Sequence, residues 1–253
     1  MRVEDLDPDR SRPEYAASAL EDLRWLGMDW DEGPDSGGPF GPYVQSARHE
    51  IYLAAWRRLY DGGHIYPCRC SRKDQAAALS APHEGAARAH DSDDEPVYPG
   101  TCRPSRTGEA SDLSPHLPGG PGATNWRFRV SDGETVEFQD LNIGLQRFVA
   151  GADFGDFLVW RRDDQPSYQL ACVADDAAMH ITEVVRGADL LKSTARQILL
   201  NRALGITDPR WFHCELVLDE KGVRLAKRHD ALSIRELRRK GLSPSDVISA
   251  SVR

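Results

Sequence analysis

Three cysteines carry the first chemistry this chain offers. Cys68 and Cys70 stand one residue apart and Cys102 follows across a loop-rich stretch, a grouping of thiolates that suits a tetrahedral zinc ion short of one ligand. His83 and His90, which lie between the pair and Cys102, are the conventional candidates for that fourth position, and three metal-free thiols are the plain alternative. Cys172 and Cys214 fall in expected core elements and read as inert.

A second chemical signal is the run Lys221-Gly222-Val223-Arg224-Leu225-Ala226-Lys227-Arg228-His229. A flexible basic loop after a strand can hold phosphates, with Lys227 and Arg224 as its cations. On spacing alone, such a turn is as readily a solvated surface.

The elements that must position these groups are partly legible. A length of 253 residues fits one large domain or a domain with an inserted module. No run approaches the ~20 apolar residues needed to cross a bilayer, and charged residues follow Met1. The odd count of five cysteines argues against a secreted disulfide framework. A cytoplasmic protein with no membrane contact is expected. The net charge of -8 gives no whole-molecule attraction to a polyanion, so nucleic acid would have to meet local patches such as Arg57-Arg58, Arg161-Arg162 or the run from Arg235 to Lys240. A charge run on a helix is usually its solvated face.

Ser11-Arg12-Pro13-Glu14 reads as a capping box, with Leu20, Leu23 and Leu26 at helical spacing until Gly27. A second helix from near Ser46 places Tyr52, Trp56, Leu59 and Tyr60 on one stripe and ends at Gly62-Gly63. His64 to Pro67 reads as extended, leading into the cysteine pair, and a short helix is expected from Ser71. Residues 80 to 96 and 103 to 124 read as loops. Trp126 to Val130 and Thr135 to Phe138 alternate like a hairpin around Ser131-Asp132-Gly133, with further strands at Gln146 to Ala150 and Phe157 to Arg161. From Ser167 helices and strands alternate: a helix over Tyr168 to Ala174, a strand over Ile181 to Val185, a helix over Ser193 to Ala203 and a strand over Cys214 to Leu218. That alternation predicts a doubly wound parallel sheet with ligands at the carboxyl ends of its strands. Ser233 to Glu236 is another capping box, and Ser243-Pro244 opens a last helix.

Six segments occur in the order that the glutamyl-tRNA synthetase group of class I synthetases shows: Arg2 to Asp7, Tyr43-Val44-Gln45-Ser46, Ile65 to Cys68, Tyr98-Pro99-Gly100-Thr101-Cys102, Glu183 to Leu190, and the loop from Arg224 to Arg228. The chain resembles that group over nearly its whole length, and within it the short paralogue that lacks an anticodon-binding domain and acylates queuosine in the anticodon of tRNA(Asp). The resemblance implies an α/β fold: a Rossmann-like parallel sheet with an inserted zinc-binding α+β module. It implies catalytic-domain residues 1–62 and 151–253 around a module at 63–150. It also implies L-glutamate, ATP with Mg²⁺ and queuosine-containing tRNA(Asp) as substrates of a monomeric ligase.

The resemblance further assigns roles. Glu4, Tyr168 and Arg186 match positions that contact glutamate, and their chemistry suits it: an anion for the ammonium, a hydroxyl to orient, and a forked cation for a carboxylate. Taken one at a time, Glu4 could be a surface carboxylate, Tyr168 a core aromatic and Arg186 a partner for Asp189. Lys227 matches the second lysine of the KMSKS signature, which stabilises charge developing on the ATP phosphates. Arg224 replaces the first lysine and Ala226 the serine, which keeps a positive charge and loses a hydroxyl. For zinc the resemblance points to Tyr98 as fourth ligand beside Cys68, Cys70 and Cys102. Family members begin earlier, with a first strand and a HIGH-type ATP motif that this sequence does not contain, and Gly63-His64-Ile65-Tyr66 is no substitute. The expectation is therefore of impaired adenylate formation, with two other readings open: a truncated glutamyl-tRNA synthetase charging tRNA(Glu), or a non-catalytic remnant that binds glutamate or RNA.

Overall fold

The computed structural model describes residues 1–7, 11–70, 97–104, 120–216 and 233–251. The chain divides into two compact units, one of Met1–Ala47 with Glu215–Arg253 and one of Arg48–Cys214. The helix expected from Ser71, most of the two expected loops, His83, His90, Arg224 and Lys227 lie outside the described residues. Among those described, no helix is long and apolar enough to cross a membrane.

In the first unit, helix α1 (Pro13–Trp25) opens with Pro at its first position and has Arg12 as N-cap with no side-chain cap bond. The capping box expected at Ser11 is therefore not formed. Proline at N1 needs no donor of its own and sets the helical φ, so entry requires no serine. The other end is as expected: Gly27 sits at φ +83°, where only glycine is at ease, and the N–H of Met28 closes back on the Leu23 carbonyl at 3.0 Å. Val3 and Val44 form a parallel bridge, and Asp5 accepts from the Ser46 N–H at 2.8 Å and its hydroxyl at 2.7 Å. Helix α5 (Ile234–Arg239) starts at Ser233, whose hydroxyl accepts from the Glu236 N–H, as the capping box predicts. Its cations turn to α1: Arg238 donates to Asp22 at 2.6 Å and Glu21 at 3.0 Å and lies 5.3 Å from the Trp25 ring. That basic run thus meets acidic partners within the unit. A last helix, α6, spans Pro244–Ser251.

The second unit begins with α2 (His49–Asp61), whose stripe buries Tyr52, Trp56 and Leu59. Four strands form one sheet in the order β1-β2-β5-β6: β1 (Ile65–Cys68), β2 (Asn125–Phe128), β5 (Phe157–Arg161) and β6 (Gln165–Pro166). All its neighbours are antiparallel. Aromatic rings fill its side toward α2, with Trp56 edge-on to Trp126 at 5.1 Å and Phe128 stacked on Phe157 at 5.2 Å. The second sheet has the order β4-β3-β8-β7: β3 (Thr135–Asp140), β4 (Gly144–Val149), β7 (Glu183–Gly187) and β8 (Arg210–Cys214). Here β8 runs parallel to both β3 and β7, while β4 is an antiparallel edge. Helices α3 (Tyr168–Ala178) and α4 (Leu191–Leu204) also belong to this unit, and α4 is the crossover from β7 to β8.

Two strand expectations change. β2 and β3 do not pair with each other, because the Asp156 carboxylate takes the Val130 N–H at 2.8 Å and the chain turns at Gly133, φ +73°, into the other sheet. β3 finds its hairpin partner in β4 instead. Among the described residues the last strand covers Arg210–Cys214 where Cys214 to Leu218 was expected, and residues 217 and 218 of that expectation lie outside them. Alternation decides it, since Trp211 and His213 are both buried and register with Val184 and Arg186 of β7.

Candidate functional site

The end of β1 delivers Cys68 and, two residues on, Cys70. The segment 97–104, turned at Gly100 with φ +77°, returns Tyr98 and Cys102 to the same place. The three sulfur atoms lie within 4.8 Å of one another. The Tyr98 hydroxyl is 3.5 Å from Cys68 Sγ and 3.4 Å from Cys70 Sγ, and Cys70 and Cys102 are 3.5 Å apart. On zinc–sulfur bonds of about 2.3 Å, tetrahedral ligands sit about 3.8 Å from each other. The donor set therefore fits a metal after a shift of a few tenths of an ångström at these contacts and of up to about an ångström between the sulfur atoms farthest apart. Burial pushes the Tyr98 phenol and the Cys70 thiol up. Burial acts the same way on Cys102, but the Arg69 N–H and hydrogen bonds with Tyr98, Cys70 and Cys68 outweigh it and bring the thiol down to about 7.

A cation braces this cluster. Arg127 is buried on β2, with Nε donating to Cys68 Sγ at 3.4 Å and its guanidinium 3.9 Å from the Tyr98 ring centroid. Its Nη1 donates to the Asp156 carbonyl at 2.9 Å. The Asp156 side chain in turn accepts from the Tyr66 hydroxyl at 2.6 Å, and burial together with that bond raises the Tyr66 phenol. Three thiolates and a phenolate around a dication would leave excess negative charge, which a buried guanidinium offsets.

The second sheet builds a different site. Asp140, Arg186 and His213 stand at the carboxyl ends of three adjacent parallel strands, β3, β7 and β8, the edge where open α/β sheets take their ligands. The Asp140 Oδ2 and His213 Nδ1 are 2.6 Å apart. The His213 Nε2 is 3.0 Å from Thr194 Oγ1 and 3.3 Å from Arg186 Nε, and Arg186 Nη2 donates to Thr194 Oγ1 at 2.6 Å. Thr194 comes from the first turn of α4, and the Arg186 guanidinium lies 5.0 Å from the Trp211 ring. Burial would raise the Asp140 carboxyl, but bonds from His213 and from the N–H groups of Ile143 and Asn142 hold it below the ordinary range. Burial lowers His213 despite that carboxylate, with the Arg186 charge acting the same way. An ionised carboxylate only accepts, so the neutral imidazole carries its proton on Nδ1 and offers Nε2 as an acceptor.

Tyr168 is the first residue of α3. Its neighbour Gln169 donates to Ser193 at 2.7 Å, which ties the start of α3 to that of α4, one residue from Thr194. Arg186 takes His213 and Thr194 as hydrogen-bond partners. Glu4 belongs to the first unit and accepts from Arg2 at 2.8 Å. Sequence reading missed Asp140, His213 and Thr194. The only signal was the pairing of a strand-end aspartate with a strand-end histidine 73 residues later, which means nothing until the strands are aligned.

The family described as class I tRNA synthetases (E and Q), catalytic domain, matches the chain over residues 1–253. A glutamyl-Q tRNA(Asp) synthetase of Symbiobacterium thermophilum is 49% identical over 253 residues, covering 98% of this chain and 73% of that protein. Its namesake in Nitratidesulfovibrio vulgaris is 46% identical, covering 98% and 72%. The crystal structure of glutamate-tRNA synthetase from Elizabethkingia anophelis is similar with a TM-score of 0.71 at 25% identity, over 95% of this chain and 46% of that one. The chain thus spans just under half the length of that solved relative.

Proposed function

Because the chain belongs to the catalytic-domain family of class I glutamate and glutamine tRNA synthetases, and so is an aminoacyl-tRNA synthetase-like ligase, we propose that it activates L-glutamate with ATP and transfers it to queuosine of tRNA(Asp). The observation that carries this reading is the likeness, at 49% and 46% identity over 98% of the chain, to two proteins named for that product. In this reading the glutamate carboxylate attacks the α-phosphate of ATP in line and pyrophosphate leaves. A queuosine hydroxyl then attacks the adenylate carbonyl and AMP leaves. Such transfer rests on positioning and charge stabilisation, with no covalent nucleophile on the protein. Arg186 would grip a substrate carboxylate, Tyr168 orient the amino acid and Glu4 accept from its ammonium. Lys227 and Arg224 would neutralise the phosphates together with the Mg²⁺ that ATP brings. No disulfide joins Cys68, Cys70, Cys102, Cys172 and Cys214, which accords with a reaction placed in the reducing cytoplasm.

The test is acylation with labelled glutamate of queuosine-containing tRNA(Asp), queuosine-free tRNA(Asp) and tRNA(Glu). Label is expected on the first alone. Preferential labelling of tRNA(Glu) would favour a glutamate-tRNA ligase and overturn the proposal.

We also assign zinc to Cys68, Cys70, Cys102 and Tyr98. The ion would be structural there, linking the end of β1 to the segment 97–104. Purified protein is expected to carry zinc at about one per chain, as a closed four-ligand site does. Cys102→Ser should lose most of it, whereas Tyr98→Phe should retain some metal on three thiolates. Elemental analysis decides this, and undiminished zinc in Cys102→Ser would refute the assignment.

A further inference from the structure

We infer that Asp140 and His213 are positioning residues for the amino-acid substrate, holding Arg186 side-on through Nε and Nη2 so that its Nη1/Nη2 end is presented to a carboxylate. The inference rests on the proposed role of Arg186 in gripping glutamate. It goes beyond that role by saying what fixes the guanidinium and which of its edges stays open.

The hydrogen bonds run in one direction. Asp140 Oδ1 accepts the N–H groups of Asn142 at 3.0 Å, Ile143 at 3.1 Å and His213 at 3.3 Å. Its Oδ2 is left for His213 Nδ1, at 2.6 Å. That bond orients the ring so that Nε2 faces Arg186 Nε at 3.3 Å and the Thr194 hydroxyl at 3.0 Å. Thr194 takes Nη2 at 2.6 Å. Asp140, His213 and Thr194 are all within 1% of full burial, so a change in one has no water to compensate it. Among the described residues the guanidinium is hydrogen-bonded on its Nε/Nη2 side only. Among the described residues no acceptor bonds Nη1, and the second Nη2 hydrogen points the same way. These two parallel donors form the end-on fork that matches a carboxylate in bidentate fashion.

The geometry makes an unusual demand on one substitution. In Asp140→Asn, three backbone N–H groups require an oxygen at the Oδ1 position, so the new amide nitrogen must sit where Oδ2 was. It then donates to His213 Nδ1 and drives the proton to Nε2, where an N–H would face the Arg186 Nε–H. The shape of the site is kept and the relay is inverted.

The experiment measures glutamate affinity by calorimetry for the wild-type protein, Asp140→Asn, His213→Leu, His213→Gln, Arg186→Leu and the double variant Arg186→Leu/Asp140→Asn. Thermal melting and imidazole nitrogen shifts are recorded in parallel. Asp140→Asn is expected to weaken glutamate binding about tenfold or more, the worth of one hydrogen bond to a charged group, with the His213 signal moving to the Nε2–H tautomer. His213→Leu should weaken it similarly. His213→Gln, whose amide oxygen replaces the Nε2 acceptor, should bind glutamate better than His213→Leu. The double variant should bind no worse than Arg186→Leu alone, because the relay acts only through the arginine.

Unchanged affinity in a folded Asp140→Asn protein overturns the inference while leaving the role of Arg186 standing. A double variant weaker than Arg186→Leu overturns it as well, since Asp140 would then act on the ligand by another route. Should Asp140→Asn melt early, the two His213 variants decide: equal losses in both overturn the relay, and recovery by glutamine supports it. Undiminished glutamate binding in Arg186→Leu instead defeats the proposed role of the arginine, and the inference with it.

Discussion

Replacing Arg186 with leucine is expected to weaken glutamate binding by about two orders of magnitude, because removal of one partner from a partly buried, hydrogen-bonded charge pair leaves the other charge without its counterpart. Leucine roughly keeps the volume over Trp211, where the guanidinium now sits 5.0 Å from the ring, so the fold should lose far less than the ligand does. Lysine is not expected to rescue. Its ammonium is a point charge that cannot bond His213 and Thr194 on one side and offer a parallel pair of donors on the other. Glutamine, which has the same length as glutamate and an uncharged side chain, supplies the control ligand for a grip on the side-chain carboxylate: its weaker binding to wild-type protein should change little in Arg186→Leu. Calorimetry with both amino acids reads the result. A leucine variant that still prefers glutamate to glutamine by the wild-type margin would remove Arg186 from recognition.

Exchanging Asp175 for alanine is expected to cost about 3–5 kcal/mol of stability, the usual penalty for breaking one side of a buried ion pair. Arg48 Nε and Asp175 Oδ1 are 2.6 Å apart with side chains 1% and 0% exposed, and Tyr52 donates its hydroxyl to the other carboxylate oxygen at 2.9 Å. Together these bonds join the start of α2 to the middle of α3. Alanine at 175 would bury a guanidinium and a phenol without that acceptor and leave a cavity as well. Replacing both members of the pair, as Arg48→Met with Asp175→Leu, should cost less than Asp175→Ala alone, since no charge is then left buried. Urea unfolding followed by tryptophan fluorescence measures each midpoint. A double variant less stable than Asp175→Ala would contradict the account.

How much of this was legible in the sequence varies with the range of the interaction. The stripe of Tyr52, Trp56 and Leu59, the glycine stop at Gly27 and the cap at Ser233 were readable because each depends on residues within one or two turns. The box at Ser11 was misread because Pro13, two residues on, makes a side-chain cap unnecessary. The alternation of β2 and β3 was visible, but their partners were not: a carboxylate at position 156 diverts the chain between them. Cys68, Cys70 and Cys102 stood out by residue type alone, whereas Arg127, which braces them, looked like any strand arginine until its side chain proved buried against Cys68 and Tyr98.

By itself the sequence determined the kinds of donor available and the local elements that carry them, because residue type sets ligand chemistry and short-range periodicity sets helix and strand. Only the tertiary structure decided which strand lies beside which, and therefore that Asp140, His213 and Arg186 meet at one sheet edge. Strand partners are chosen by burial and backbone pairing across long stretches of chain, and a register one residue different would have turned His213 to the opposite face.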